Sequence, residues 1–325
     1  MPDIEKVREL QSKVMKDIAA GAIIPIMMIG DELGLFEKLY KFGPCSSNKF
    51  AKKTEMDHRY LREWLLALSA AGYVSYESKT EFFSLSDEQY SVLGDENSPS
   101  LMIGGFENLV GAVHNYHLIK QNFKTGKGTE WGSLHPCCLS GSARFFKPAY
   151  SIFLINKWLP SIKGAVSTLN KGGSFADIGC GFGHSTTMIA EQYPQSSVKG
   201  IDPHEQSIHE AQKIAEQKNL NNLSYEIATA ESYSGEYDII SFFDCLHDMG
   251  DPIAAVSYAK TKLKPGGSLM IIEPYANDEV SKNFNIIGQM YYAFSTIACV
   301  PASKSQEGGM ALGAQAGLKK LKNVL

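Results

Sequence analysis

From residue 20 to about residue 93 apolar positions recur at helical spacing and then switch to short runs of β-formers. The segments "IAAGAIIPIMMIG", "GDELGLFEKLY" and "SSNKFAKKTEM" each read as a helix with an apolar face. The first is shorter than the roughly 20 residues that a bilayer span needs and is interrupted by Pro25, so a buried helix is expected. In "DHRYLREWLLALSAAGYV", Asp57 can cap the start and Gly72 can end the helix in a left-handed conformation. "YVSYE" and "EFFSL", separated by "SKT", read as a hairpin. Helices followed by a hairpin predict a winged helix-turn-helix over residues 1–93.

Between residues 94 and 165, "DENSPS" is a polar linker, and two aromatic-rich helical patterns follow. They predict a helical linker that roofs a pocket, with His114, His117, His135 and Tyr150 as candidate substrate contacts. A lone histidine on an apolar helix is more often a satisfied core residue, the favoured reading of His114 and His117, whereas His135 and Tyr150 are better placed for contact. Over 166–325 the pattern becomes strand, turn, helix, repeated: "SFADIG", "SVKGID", "LSYEIAT", "YDIISFFDCL" and, after the turn "KPGG", "SLMIIEP" are the strands. Alternation of this kind predicts an α/β fold, a Rossmann-like, doubly wound, mostly parallel sheet.

Ligands of such sheets bind beyond the carboxyl ends of the strands, where "DIGCGFGHS" stands. Gly179 and Gly181 allow a tight turn and close backbone approach. A dinucleotide fingerprint would place its third glycine at position 184, which is His184; Gly183 comes one residue early. Asp177 at the edge of the loop would repel a pyrophosphate and suits a ligand with a cationic amino-acid end, as in S-adenosylmethionine. Asp202 closes the second strand, where an acid can accept from both ribose hydroxyls. Cys180 and Pro203 flank these residues. Thr229 and Ala230 are placed to border the adenine, and Asp244 with Cys245 lies on the methyl-donor side.

Composition narrows the partners. A net charge of −4 gives no global pull toward nucleic acid or an anionic membrane. Residues 1–100 carry 12 Lys plus Arg against 16 Asp plus Glu, an unfavourable balance for a DNA reader whose affinity comes from phosphate contacts. Lys49, Lys52, Lys53, Arg59 and Arg62 could still line one face, although a solvated helix face is the favoured reading of them. A dimerisation and substrate-lid role is the favoured reading of this domain, giving a homodimer. The start "MPDIEKVREL" lacks a basic leader followed by an apolar core, and six cysteines occur without a C-x-x-C. Reduced thiols in a cytoplasm are expected, with no metal site and no disulfide framework.

Taken in order, D-x-G-x-G-x-G, "GID", "ATAE", "YDIISFFDCLHD" and "LKPGGSLMIIEP" resemble class I S-adenosylmethionine-dependent methyltransferases over roughly residues 170–275. With its front end and "FFDCLHDMGDP", the chain resembles bacterial methyltransferases bearing an N-terminal winged helix. The plan is similar to small-molecule O-methyltransferases, whose winged-helix domain mediates dimerisation. The resemblance implies cofactor contacts at Asp177, Gly179, Gly181, Asp202, Ala230 and Asp244, and a small-molecule methyl acceptor bearing an aromatic or polyketide-like hydroxyl. Thr229 departs from the pattern, because many members carry an acid there; Glu231 or backbone amides would then serve the adenine.

A phenol with a pKa near 10 is better matched by a histidine near about 6.5 than by an exposed carboxylate near about 4. His247, in "LHDMGDP", is the candidate base, similar to the catalytic histidine of an "HDW" string, with Met249 in place of tryptophan. A loop-tying role for His247 or Asp248 is the alternative. After "IIEPYA" one helical stretch and a basic amphipathic tail follow, so the closing antiparallel hairpin of the class I sheet is expected to be missing, leaving the fifth strand as an edge. A regulator that senses S-adenosylmethionine and an inactive homologue are the competing readings.

Overall fold

The computed structural model describes all residues, 1–325, and the chain divides into two compact units, Met1–Val110 and Gly111–Leu325. The expected linker domain over 94–165 is not a unit of its own. The division falls inside one long helix, Ile103–Thr125, so its two ends belong to different units.

The first unit contains α1 (Ile4–Glu32), α2 (Leu35–Phe42), β1 (Cys45–Ser46), α3 (Ser47–Thr54), α4 (His58–Ala70), β2 (Ser75–Glu77), β3 (Phe82–Ser84) and α5 (Asp87–Leu93). Asp57 caps α4 by accepting from the amides of Arg59 and Tyr60, and Gly72 follows it at φ +81°. β3 lies between β1 and β2, antiparallel to both, which forms the wing. Phe36, Phe50, Leu65, Leu68 and Phe83 meet in one core, and Trp64 Nε1 donates to Ile26 O at 2.9 Å, tying α4 to α1.

Two sequence expectations fail here. "GDELGLFEKLY" is not one helix: α1 ends at Glu32, and Gly34 at φ +63° turns the chain into α2. Pro25 does not interrupt its segment, because α1 runs through it from Ile4. The segment is only partly buried: Met27, Met28 and Gly30 face the core, whereas Ile29 is exposed. No single helix is long and apolar enough to cross a membrane; α1 and α2 would do so only as a pair, and they are bent by 69°.

The second unit continues α6 (Ile103–Thr125) into α7 (Pro136–Ala149), a π-helical stretch (Tyr150–Trp158), α8 (Leu159–Ser161) and α9 (Ala165–Asn170). Then come β4 (Ser174–Ile178), α10 (His184–Gln192), β5 (Ser197–Asp202), α11 (Glu205–Gln217), β6 (Leu223–Ile227), β7 (Tyr237–Phe243), α12 (Pro252–Lys262) and β8 (Leu263–Ile272). All pairings are parallel, in the order β6-β5-β4-β7-β8. Phe175, Ile189, Val198 and Ile239 fill one core of this unit, and Ala176, Ile201, Ile240 and Phe242 another. The chain leaves β4 toward β5 and later returns to its other side as β7, so the switch point lies at the carboxyl end of β4.

"KPGG" is looped out within β8: its pairing with β7 jumps from Tyr237↔Leu263 to Ile239↔Ser268, with Gly266 at φ +78°. β8 is the last strand and an edge of the sheet, as the strand pattern predicts. Beyond it lie α13 (Ile286–Phe294), a π-helical turn (Ser295–Cys299), α14 (Val300–Lys304) and α15 (Gly317–Val324), whose Val324 is buried beside Val256 and Ala259.

Candidate active site

The donor side is built by the loops after β4 and β5. Gly179, Gly181 and Gly183 all have left-handed φ, at 72°, 52° and 71°. A side chain at Gly179 would strike Cys245 Sγ at 2.8 Å, whereas a Cβ on Gly181 would meet nothing within 4 Å. Gly181 therefore keeps open space above the loop, the condition for a ligand to approach its backbone. Asp202 Oδ2 accepts from Gly181 N and Oδ1 from His204 N, both at 2.9 Å, so this carboxylate fastens the glycine loop to the end of β5. Each oxygen retains a lone pair, enough to receive a vicinal diol. Pro203 is exposed beside it. Thr229 and Ala230 follow β6 in a turn closed by Thr229 N and Oγ1 on Ser232 Oγ, and Glu231 is exposed there.

Asp177 departs from expectation. Its carboxylate is 1% exposed, with Oδ2 accepting from Ser185 Oγ at 2.5 Å and Oδ1 from Ser241 Oγ at 3.1 Å. Burial raises its pKa to about 7 against those two hydroxyls. With each oxygen accepting from one hydroxyl, the buried acid braces β4 against α10 and β7. Cys180 is buried, its thiol pushed well up by burial and by the neighbouring Asp202.

The other side lies beyond β7. Asp244 sits at φ +52°, a left-handed conformation rare outside glycine and concentrated at functional turns. Its amide donates to Ile272 O at 2.8 Å, and burial, then Glu273, raises its carboxyl pKa to about 7. Cys245 Sγ donates to Ile178 O at 3.1 Å, joining this loop to the end of β4.

His247 comes next, 4% exposed. Its Nδ1 is hydrogen-bonded to Glu273 Oε2, while Glu273 Oε1 accepts from Leu246 N at 2.9 Å and His247 N at 3.3 Å. The ring is thus oriented by a carboxylate that also holds its backbone. On the opposite edge Nε2 faces Asp248 Oδ1 at 3.2 Å. Burial alone would lower the imidazole pKa, yet Asp248 and Glu273 raise it well above the usual value. The two carboxylates favour the protonated ring, so the base form arises only once Nε2 has given up its proton.

The C-terminal segment pins this loop: Ser303 Oγ donates to Met249 O at 2.7 Å and Gln306 Nε2 to Asp248 O at 2.9 Å. Gly250 N donates to Gln306 Oε1 at 3.0 Å, and Met310 N to Gly250 O at 2.9 Å. Asp251 caps α12 ahead of Pro252, the ordinary helix start that the sequence predicts.

The four residues expected to roof a pocket do not converge on one place, although two of them pair. His114 and His117 lie on the exposed face of α6; His114 stacks on His135, ring centroids 4.3 Å apart, and His117 rests against Tyr116. His135 is occupied as the N-cap of α7, accepting from Cys137 N. Tyr150 is buried against Phe243 and Trp158, its hydroxyl pKa pushed well up by burial and then by Asp244. Only Tyr150 thus adjoins the end of β7.

Three neighbours of His247 are not singled out by the sequence. Glu273 stands immediately after the fifth strand, a place the carboxyl-end rule marks, inside the "IIEP" string. Tyr291 on α13, pushed up to about 12 by burial and then by Asp244, and Cys299 come from a helical stretch with no motif.

A five-stranded parallel sheet with a glycine loop at the switch point and an acid closing the next strand defines a class I methyltransferase fold. A family profile described as a methyltransferase domain matches residues 169–317, and the Rv2258c-like winged HTH domain profile matches residues 21–94. Among curated relatives, a ubiquinone biosynthesis O-methyltransferase of Acinetobacter baylyi is 28% identical over 151 residues, 45% of this chain and 60% of the relative. A trans-aconitate 2-methyltransferase of Deinococcus radiodurans is 30% identical over 105 residues, 32% of this chain and 39% of that protein. Among solved structures, an O-methyltransferase family protein from Burkholderia thailandensis superposes with a TM-score of 0.67 at 13% identity, covering 100% of this chain and 92% of that one. Human N-acetylserotonin methyltransferase in complex with SAM gives 0.69 at 14% identity, with 97% and 90% covered.

Proposed function

We propose that the chain is an S-adenosylmethionine-dependent O-methyltransferase acting on a small-molecule hydroxyl, aromatic or polyketide-like. The observation that carries this reading is the pairing of His247 with Glu273 at the carboxyl end of β7, one loop away from the Gly181–Asp202 clasp. The O-methyltransferase names borne by its relatives support oxygen as the acceptor atom. S-adenosylmethionine supplies a methyl group already activated on a sulfonium, so positioning accounts for much of the rate.

This chain's residues would divide the work between donor and acceptor. Gly179 and Gly181 present backbone to the donor, and Asp202 accepts from its ribose. Ala230 borders the adenine, and Asp244 adjoins the methionine end. His247 Nε2 takes the acceptor's proton during attack, while Glu273 holds the ring by Nδ1 and balances the charge that develops on it. General-base assistance of this kind contributes about 10²–10⁴-fold. Calorimetry with S-adenosylmethionine, followed by turnover on a panel of phenols, tests the reading; a folded protein that fails to bind the donor refutes it.

The winged helix-turn-helix match favours a second reading, a regulator that binds DNA and senses the donor. Against it, Arg59 is paired with Glu63 and Lys53 lies over the Phe42 ring, so part of the basic set of α3 and α4 is engaged within the domain. Saturable, sequence-specific gel shifts at physiological salt would establish it. The exposed Ile4, Leu10, Val14, Met15 and Ile18 of α1 support a homodimer formed through the N-terminal unit, which light scattering reads directly.

A further inference from the structure

Beyond the methyl-transfer reading, the loop after β7 and the segment after α13 place three different metal-binding side chains together. His247 Nε2, an Asp248 carboxylate oxygen and Cys299 Sγ all lie within 4.8 Å of one another. His247 and Cys299 are 4% and 8% exposed. Asp248 Oδ1 is fully covered and makes no directed hydrogen bond, although it faces the imidazole. Its neighbours are the imidazole at 3.2 Å and the Cys299 thiol, and a divalent cation would take the place of the protons that these three side chains share.

The ring is also held as metal-bound histidines are held. Its far nitrogen, Nδ1, is engaged by Glu273, the carboxylate–histidine arrangement that fixes a metal ligand's tautomer and orientation. Cys299 is the last residue of the π-helical turn Ser295–Cys299. Such turns insert one residue into a helix, rotate the residues downstream by about 100° and concentrate at functional sites. Here the turn delivers a thiol to the edge of the imidazole that Asp248 also faces.

We propose that His247 Nε2, Asp248 and Cys299 Sγ form a three-ligand site for a thiophilic divalent cation, zinc, with Glu273 as the outer support of His247. Bonds of about 2.0 Å to nitrogen and oxygen and about 2.3 Å to sulfur ask the donor atoms to close by about 1 Å from their present limits. On binding, any proton on Nε2 and the thiol proton pass to water. One carboxylate, one thiolate and a neutral imidazole then balance the charge of the ion. A fourth position stays open. Occupancy takes Nε2 away from proton transfer, so a loaded site and a working base exclude each other.

Zinc alone, titrated by calorimetry into the chelator-stripped full chain with a non-thiol reductant and without methyl donor or acceptor, tests the site apart from catalysis. One equivalent is expected to bind. Cys299→Ser, Asp248→Asn and His247→Gln should each weaken binding at least tenfold, and Glu273→Gln by about 10–100-fold. Cys137→Ala, a thiol on another helix, should leave affinity and stoichiometry unchanged. Cobalt in place of zinc should give tetrahedral d–d absorption with a thiolate charge-transfer band that is lost in Cys299→Ser. Absence of saturable binding overturns the proposal, as does affinity that Cys299→Ser leaves intact in a protein still folded by circular dichroism. Should the substitutions unfold the chain, a wild-type cobalt spectrum without a thiolate band overturns it equally.

Discussion

The loops after β4 and β5 and the loop after β7 stand at the same edge of one sheet, yet they are built in opposite ways. The first pair is made of backbone: glycines in left-handed conformations, with Asp202 spending an oxygen on each of two amides. The loop after β7 is made of side chains drawn from distant places, His247, Glu273 and Cys299, packed out of solvent. A backbone cradle tolerates change in the side chains around it and depends on a few residues for its geometry. A side-chain cluster puts the chemistry at risk with every member.

The sharpest way to break this comparison is His247→Ala. It should lower kcat/KM by about 10²–10⁴-fold while calorimetry finds donor affinity within a few-fold of the parent, because the donor cradle does not use the ring. Retained turnover would leave His247 a loop-tying residue. Asp202→Ala comes next. It removes a charged acceptor from Gly181 N and His204 N, and hydrogen bonds to charged groups contribute about 1.5–3 kcal/mol, so the donor's Kd should rise by about 10–100-fold. An unchanged Kd would remove Asp202 from the donor site.

Smaller effects are expected on the donor side. Gly181→Ala has room for its methyl but must hold φ near +52°, so a loss of about 1–2 kcal/mol in denaturant unfolding is expected, from conformation and not from collision. Asp177 should show least in turnover and most in a pH profile. Its carboxyl titrates near 3.8 when unfolded and about 7 when folded, so the folded state holds the proton between those values. Its contribution to stability is therefore full below about pH 4 and lost as pH rises through 7. Asp177→Asn should flatten that part of the stability profile; an unaltered slope would show that the acid is ionised in the fold.

The same contrast explains what can be read without coordinates. Gly179, Gly181 and Asp202 lie within one strand–helix–strand passage, where spacing alone fixes their meeting, and the five strands announce themselves by regular alternation with helices. The His247 cluster spans residues 247 to 299, and no local pattern says which turn of the α13–α14 stretch meets the loop after β7; a π-helical turn decides it. Asp177 escapes a sequence reading for a related reason. Its position in the motif is plain, but its exposure depends on Ser185 and Ser241, the latter from the neighbouring strand β7, which the chain reaches only three connections later. In the N-terminal unit the break at Gly34 is hidden because the apolar period continues across it, so only the left-handed glycine separates α1 from α2.

The bonds from Ser303, Gln306 and Met310 to the backbone of residues 248–250 carry a mechanical consequence. They latch α14 to the turn just past His247. Any excursion of α14 must either drag that turn along or break several hydrogen bonds at once. A displacement of α14 and a misalignment of the imidazole are then a single conformational equilibrium.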